Sequence, residues 1–330
     1  MSGSREIIRI GTRGSELALR QTRSVARALS RLDGAPSTEE VVITTSGDTI
    51  TDVPLTRVAG RSFFTKEIEE ALLGGAIDLA VHSLKDLAVI LPDGLTLGAI
   101  VTREDPRDAL ISREGLTFDE LPEGSRIGTS SLRRQALIAR ARPDLEPVDL
   151  RGNVPTRIRK LEAGEYDAIV VAAAGLIRLG LAEKITATLP LDRFPPAPGQ
   201  GAIALQIRQE DEFTRQWITQ LDHASSRSSV TAERSFLNRL GGGCQVPVGA
   251  WAIEDTGILQ LSAVICSPDG TRVAEGSRRA PTDFADDLGT ELAEELLHRG
   301  GREILEEIGS STERPLVGRR VVVTRPDIPE

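Results

Sequence analysis

The sequence predicts an α/β protein of three domains: two similar doubly wound α/β domains followed by a smaller α+β domain. Three observations carry this. The 330 residues suffice for two or three domains, each with its own core. Short apolar runs alternate with stretches of helical period, and this order, strand then glycine- or serine-rich turn then helix, occurs in two successive regions. From about Ser225 onward the order becomes helix, strands and helix. The expected limits are 1–103 with 201–221 for the first domain, 104–200 for the second and 222–310 for the third, with a tail over 311–330.

Residues 7–10 form an apolar run that ends at Gly11-Thr12-Arg13-Gly14-Ser15. Leu17, Gln21, Val25, Leu29 and Leu32 then fall on one helical face, with Ser15 as the N-cap. Such a turn is an anion site, because free N–H groups and the helix dipole both point outward there, and Arg13 sits in it. Residues 41–45 are expected as the second strand and the polar stretch 46–62 as a mobile loop of lid length. Thr65 is placed to cap a helix that stops at Gly74-Gly75. Residues 76–81 read as a buried strand, followed at once by His82-Ser83-Leu84-Lys85-Asp86. Ligands bind at the carboxyl ends of strands in an open α/β sheet, so Lys85 and Asp86 stand like site residues. A surface ion pair between neighbours explains them equally well. Residues 95–102 and 108–112 lead out of the first domain and into the second.

In the second domain, residues 126–128 end a strand and Thr129-Ser130-Ser131-Leu132-Arg133-Arg134 opens a helix reaching residue 141. Residues 148–150 form the next strand, and Arg151-Gly152-Asn153-Val154-Pro155-Thr156-Arg157 opens a helix with Pro155 in its first turn, where proline is tolerated. Arg178 lies just beyond the strand over 167–172. One arginine is ordinarily a solvated surface charge. Arg133, Arg134, Arg151, Arg157 and Arg178 together, all after strand ends, describe a wall suited to carboxylates or phosphates. The proline-rich stretch Phe194-Pro195-Pro196-Ala197-Pro198-Gly199-Gln200-Gly201 fits a stiff crossing between domains. Residues 202–207 then return as a strand to the first sheet, and 210–221 are helical.

The third domain opens with a helix over 229–239 that runs into Leu240-Gly241-Gly242-Gly243-Cys244-Gln245-Val246-Pro247. Strands over 246–253, 259–266 and 272–275 and an acidic helix over 284–297 follow. Glycines remove side chains and permit positive φ, so Cys244 is reachable on its turn. A cysteine is more often a small buried hydrophobe, which is the reading given to Cys266.

The net charge of −9 argues against nucleic acid as a partner. The lysines are only Lys66, Lys85, Lys160 and Lys184, so arginine carries the positive charge. Cys244 and Cys266 with His82, His223 and His298 offer neither a disulfide framework nor a zinc spacing. No run has the apolar length of a bilayer span and the N-terminus lacks a signal-peptide core, so a cytoplasmic protein is expected. Ser-His-Asp and Walker patterns are missing. What remains is one sulfur, one carboxylate at a strand end and an arginine-lined wall. A two-domain anion-binding receptor would share the two-domain clamp but has no use for Cys244, and a transferase with a cysteine nucleophile lacks an evident histidine base.

Six stretches carry a resemblance: Thr12-Arg13-Gly14-Ser15-Glu16-Leu17-Ala18, Ala80-Val81-His82-Ser83-Leu84-Lys85-Asp86, Gly128-Thr129-Ser130-Ser131-Leu132-Arg133-Arg134-Gln135, Leu150-Arg151-Gly152-Asn153, Gly199-Gln200-Gly201-Ala202 and Gly242-Gly243-Cys244-Gln245-Val246-Pro247. Over nearly all of residues 5–309 the chain resembles the porphobilinogen deaminase family, also called hydroxymethylbilane synthases. The resemblance implies a clamp like that of periplasmic binding proteins, with a third domain carrying a cofactor cysteine. It implies a monomeric, cytoplasmic transferase of tetrapyrrole and haem biosynthesis that joins porphobilinogen units head to tail, releases ammonia and, after water attack, yields hydroxymethylbilane. A dipyrromethane cofactor would be held by a thioether to Cys244 and kept as a primer.

By the same resemblance Asp86 and Lys85 would be catalytic, Asp86 facing pyrrole N–H groups and assisting proton transfer. Arg13, Ser15, Lys85, Asp86, Ser130, Ser131, Arg133, Arg134 and Arg151 would hold the cofactor. Arg13, Arg151, Arg157, Arg178, Gln200 and Phe64 would hold the substrate; no metal, nucleic acid or membrane is implied. The chemistry agrees, since attack by a pyrrole carbon on an electron-poor azafulvene leaves a cation that a nearby carboxylate stabilises as it forms. There are departures: Leu87-Ala88-Val89 stands where the family more often has valine and proline, Ser46 where a basic residue is usual, and Arg57 and Arg61 where lysines are common. None removes a catalytic group. Residues 314–326 resemble the first strand of uroporphyrinogen-III synthase, which a fused second enzyme would explain, and are expected to pack on nothing.

Overall fold

The computed structural model describes residues 6–49, 65–241 and 246–313. Phe64, Arg57, Arg61, Cys244 and the tail over 314–330 lie outside the described residues. In chain order the elements are β1 (Ile7–Thr12), α1 (Glu16–Leu29), β2 (Ser37–Val42), α2 (Ser46–Thr49), α3 (Lys66–Leu73), β3 (Leu79–Ser83) and β4 (Leu95–Ile100). The chain then crosses to β5 (Asp108–Ser112), β6 (Arg126–Gly128), α4 (Leu132–Ala141), β7 (Glu146–Val148), α5 (Val154–Glu162), β8 (Ala168–Ala172), α6 (Ala173–Arg178) and β9 (Ala187–Thr188). It crosses back to β10 (Ile203–Arg208) and α7 (Glu212–Ile218), and ends with α8 (Ala224–Arg239), β11 (Val248–Asp255), β12 (Ile258–Cys266), β13 (Val273–Pro281), α9 (Ala285–Leu296) and α10 (Arg302–Glu313).

The first sheet has the order β2-β1-β3-β10-β4 and the second β7-β6-β8-β5-β9. In each, three parallel strands meet one antiparallel strand that the chain delivers just after crossing: β10 against β3, and β5 against β8. The two doubly wound α/β units and the smaller α+β unit match the fold class read from the sequence. Central strands are apolar on both faces because helices cover both sides. In β8, Ala168 and Val170 face the core containing Leu137, while Ile169 and Val171 face the one containing Leu150 and Leu176. The third unit stacks α8 and α9 on the antiparallel sheet β11-β12-β13. Gly289 lets the two helices cross closely, since a Cβ there would lie 2.2 Å from the Ala232 carbonyl oxygen.

Several expected elements shift. The second strand lies at Ser37–Val42 rather than 41–45: it pairs only with β1 at the sheet edge, so Ser37, Glu39, Glu40 and Val42 face solvent and no apolar run marks it. The strand expected over 272–275 extends to Pro281 for the same reason, with Arg278 and Arg279 exposed along an edge. The helix expected from 229 begins at Ala224, capped by His223, whose Nδ1 accepts from the Ser226 N–H at 3.2 Å. α10 was not expected; it follows a kink at Gly300 (φ +100°), and its Ile304 enters the third core. Thr65 stands at the start of α3, but its hydroxyl donates to Glu69 Oε2 (3.4 Å) instead of capping. Of the stretch read as a lid, Ser46–Thr49 forms one helical turn, held by the Ser46 N–H on Glu67 Oε1 (2.9 Å).

Cys266 is packed, as expected. With Val264 it enters the second domain's core beside Leu137 and Phe194, and burial pushes its thiol up to about 11. A second junction is polar. The buried Glu233 carboxylate on α8 accepts from Arg103 Nη1 (2.6 Å) and Nη2 (3.0 Å) and from the N–H groups of Gly199 and Ala252 (both 2.7 Å). Arg103 lies on one crossing, Gly199 on the other and Ala252 in β11, so one side chain ties both crossings to the third unit.

Candidate active site

Strand ends build the site. β3 ends in a single 3-10 turn, Leu84–Asp86, whose flanks Leu84 and Leu87 are buried among Ile100, Ala202 and Val230. That anchoring leaves Asp86 exposed and Lys85 half-buried at the carboxyl end of the strand. At the end of β1, the Ser15 hydroxyl accepts from the Ala18 N–H (3.3 Å) and caps α1, which fixes the turn carrying Arg13. Leu17, one turn on, reaches α6 of the second domain, 3.7 Å from where a Gly175 Cβ would stand.

The opposite wall comes from the second sheet. The Ser131 hydroxyl caps α4 by accepting from the Arg134 N–H (3.5 Å), and Asn153 caps α5 by accepting from the Thr156 N–H (3.0 Å). Ser130 ties the two turns together, donating to the Leu150 carbonyl (2.6 Å) and accepting from the Leu150 N–H (3.1 Å). Arg133 and Arg134 are each only 5% exposed, and they share one carboxylate. Arg133 Nη1 and Nη2 reach Asp108 at 2.7 and 3.2 Å, while Arg134 Nε and Nη2 reach it at 3.0 and 2.7 Å. Gln200 Nε2 adds a bond to Asp108 at 2.8 Å. Burial alone would raise the Asp108 carboxyl, yet the two guanidiniums hold it far below the ordinary range.

Two arginines on one aspartate leave a net positive charge inside the wall, and it is felt across the cleft. Burial pushes Lys85 down to about 8, with Asp86 and Asp108 opposing and Arg133 and Arg134 adding to the shift. Burial likewise pushes Arg157 down to about 10, helped by Arg134 and opposed by Asp149 and Asp86. These mutual influences bring Lys85 and Asp86 from one domain together with Arg133, Arg134, Asp108 and Arg157 from the other.

Three further arginines are tethered to backbone or to a neighbouring acid. Arg157 Nε donates to the Gly152 carbonyl (2.8 Å), Arg178 Nη2 to the Gly201 carbonyl (2.7 Å), and Arg151 Nε stands 3.7 Å from Asp149. Asp108 was missed by the sequence reading: like Asp78 and Asp167 it is an acid at the start of an apolar strand, and nothing local sets it apart. So was the buried chain behind Arg13. Gln206 Nε2 donates to Glu69 (3.1 Å), so its Oε1 accepts and assigns the proton of the 3.0 Å contact to His82 Nε2. Burial pushes His82 down to about 4, with Arg13 lowering it further, which keeps it neutral.

Two buried polar atoms in this wall have no hydrogen-bond partner among the described residues: Arg133 Nε and Gln200 Oε1. One is a donor and the other an acceptor, so a group carrying both carboxylates and N–H groups fits them. Residues 8–216 match the family model for porphobilinogen deaminase, dipyromethane cofactor binding domain, and residues 228–298 match that for the porphobilinogen deaminase C-terminal domain. The chain belongs to the porphobilinogen deaminase family.

A porphobilinogen deaminase of Syntrophus aciditrophicus (strain SB) is 50% identical over 301 residues, covering 91% of this chain and 98% of that one. One from Geobacter sulfurreducens is 50% identical over 301 residues, with 91% and 94% covered, and one from Syntrophotalea carbinolica is 49% identical over 314 residues, with 95% and 99% covered. The family consists of transferases, the hydroxymethylbilane synthases, and the first matched region is its dipyrromethane-binding part. Among the described residues, no helix is long and apolar enough to cross a membrane and no cluster suits a metal ion.

Proposed function

We propose that this member of the porphobilinogen deaminase family joins four porphobilinogen units onto a dipyrromethane primer attached through a thioether to Cys244, releasing ammonia at each addition and hydroxymethylbilane by hydrolysis. The observation that carries the reading is the anchored strand-end turn, where exposed Asp86 lies within electrostatic reach of Arg157 and its neighbour Lys85 within reach of the buried Arg133–Asp108–Arg134 cluster. The division of labour follows the expected limits: residues 1–103 and 201–221 supply Asp86, 104–200 the arginines and 222–310 the attachment. When bound, the primer supplies an enzyme-held pyrrole terminus to which units are added. Arg13, Ser15, Ser130, Ser131, Arg133, Arg134 and Arg151 would hold its carboxylates, while Arg157, Arg178, Gln200 and Phe64 would meet the incoming unit.

Asp86 performs the charge work. Its carboxylate accepts the substrate pyrrole N–H and stabilises the positive charge that grows on that ring as the carbon–carbon bond forms. The guanidiniums opposite bind acetate and propionate groups through N–H groups not already given to Asp108 or to backbone, such as Arg133 Nε, which orients the ring without taking part in proton transfer. Lys85 adds an ammonium from the first domain's side of the cleft. The enzyme is read as a cytoplasmic monomer that needs no metal or nucleic acid, and the resemblance of residues 314–326 to uroporphyrinogen-III synthase supports a functional link to that enzyme.

Intact mass tests the function. The purified protein is expected to exceed its sequence mass by two porphobilinogen units less two ammonias, located on the Cys244 peptide, and to release ammonia from porphobilinogen. A bare mass that stays bare after incubation with porphobilinogen would overturn it. The alkaline limb of activity tests Lys85. Its native value of about 8 lies below the ordinary lysine value, so between the two the folded protein binds fewer protons than the unfolded chain. Stability contributed by this group therefore rises with pH through that window, while the ammonium needed for binding disappears. kcat/KM is expected to fall above about pH 8, and Lys85→Arg should move that limb upward; an unmoved limb would remove Lys85 from the site.

A further inference from the structure

The turn bearing Asp86 is followed by Leu87-Ala88-Val89, and all three backbone carbonyls are taken by one side chain. Arg234 Nη1 donates to the Leu87 carbonyl (3.3 Å), and Nη2 donates to those of Ala88 (2.8 Å) and Val89 (3.0 Å). Among the described residues Arg234 makes no ion pair, and burial lowers its guanidinium to about 10. Three carbonyls therefore stand in for a carboxylate. One turn earlier on the same helix, Val230 packs against Leu84 and Leu87, the two residues that flank Lys85 and Asp86. Beside these contacts the surfaces do not close: a cavity of about 220 Å³ remains between α8 and β4, bordered by Val89, Leu97, Ile100 and Arg227. Arg234 spans ground that apolar packing leaves open.

α8 also leads elsewhere. It ends at Arg239, passes through Leu240 and Gly241, and Cys244 follows three residues later in the sequence. We propose that Arg234 is a positioning residue for Asp86: it fixes the exit of the catalytic turn to α8, the helix that precedes Cys244 in the sequence, and so sets where the carboxylate stands. The inference rests on the deaminase function proposed above. A guanidinium suits the task because its planar fork holds several acceptors at once with little freedom left, whereas a lysine ammonium is a single point on a flexible stem. Leu87 is extended (φ −88°, ψ 133°), so nothing helical continues the 3-10 turn, and its exit is held by these bonds.

The test uses the full-length, primer-bearing enzyme with Arg234→Met, which keeps length and loses every donor, and Arg234→Lys, which keeps the charge and loses the fork. Primer occupancy is read by mass on the Cys244 peptide, and kcat and KM are expressed per primer-bearing enzyme. Arg234→Met is expected to retain the primer, to change KM by less than twofold and to lower kcat at least tenfold, with Arg234→Lys at least threefold below wild type. A purely structural role would lower thermal stability or occupancy while leaving kcat per primer-bearing enzyme unchanged, and that result in either folded variant overturns the inference. A wild-type protein that gains no primer and releases no ammonia would overturn the function itself, which is seen before any variant is made.

Discussion

Asp86→Asn is expected to fold, to carry its primer and to lose condensation by about 10²–10³-fold in kcat, the size of effect seen when a preorganised electrostatic stabiliser is removed. The structure separates anchoring from chemistry at this turn. Leu84 and Leu87 are buried at 1% and 4% exposure and hold the backbone, while the Asp86 side chain is exposed. An amide of the same shape therefore changes the charge and little else. Deletion of that charge also leaves Arg157 with Asp149 alone of the two carboxylates that favour its charged form. The check is kcat on the purified variant together with the mass of its Cys244 peptide. Turnover within a few-fold of wild type, with the primer present, would remove Asp86 from its assigned role.

Glu233→Ala is expected to cost about 3–5 kcal/mol of stability, because breaking a buried pair strands the surviving charge in a low-dielectric interior. Arg103 is 10% exposed and Glu233 fully buried, so water cannot replace the missing anion. The N–H groups of Gly199 and Ala252 lose their acceptor in the same step. The loss falls where both interdomain crossings meet the third domain, so the units are expected to separate in their unfolding as well as to melt earlier. Changing both partners, Arg103→Met with Glu233→Met, should recover part of the stability, since removing a buried pair together is far less costly than removing one member. Denaturant or thermal unfolding of the two variants measures this. A loss below about 1 kcal/mol for Glu233→Ala would show that the junction is held by apolar packing instead.

Much of the site was legible because its signals are local. Ser15 caps α1 as its sequence context predicts, α4 opens within the stretch expected to open it, and the strand ahead of Lys85 and Asp86 ends within two residues of its expected limit. Edge strands were not legible: β2 is nearly all polar outward, and β13 carries arginines where it faces water. Partners distant in sequence were hidden too. His82 meets Gln206 across 124 positions and Arg103 meets Glu233 across 130. No periodicity reports such a pair, because each residue alone reads as an ordinary polar surface group. The arginine wall shows the same division. Five arginines after strand ends could be counted, but Asp108, which binds two of them, could not be picked out from other strand-end acids.

The sequence by itself determined the inventory of chemistry: an arginine-rich wall, a carboxylate at a strand end, a cysteine among glycines and the motifs that resemble porphobilinogen deaminases. These depend on residue type and spacing, which the chain carries in one dimension. The tertiary structure alone decided which charges face each other. Arg133 and Arg134 converge on Asp108, Lys85 feels both of them from the other domain, and Arg234 holds the exit of the Asp86 turn. The physical reason is that desolvation and Coulomb interaction depend on packing. A guanidinium acquires its partner, and a lysine loses affinity for its proton, only after folding has removed water and set the distances.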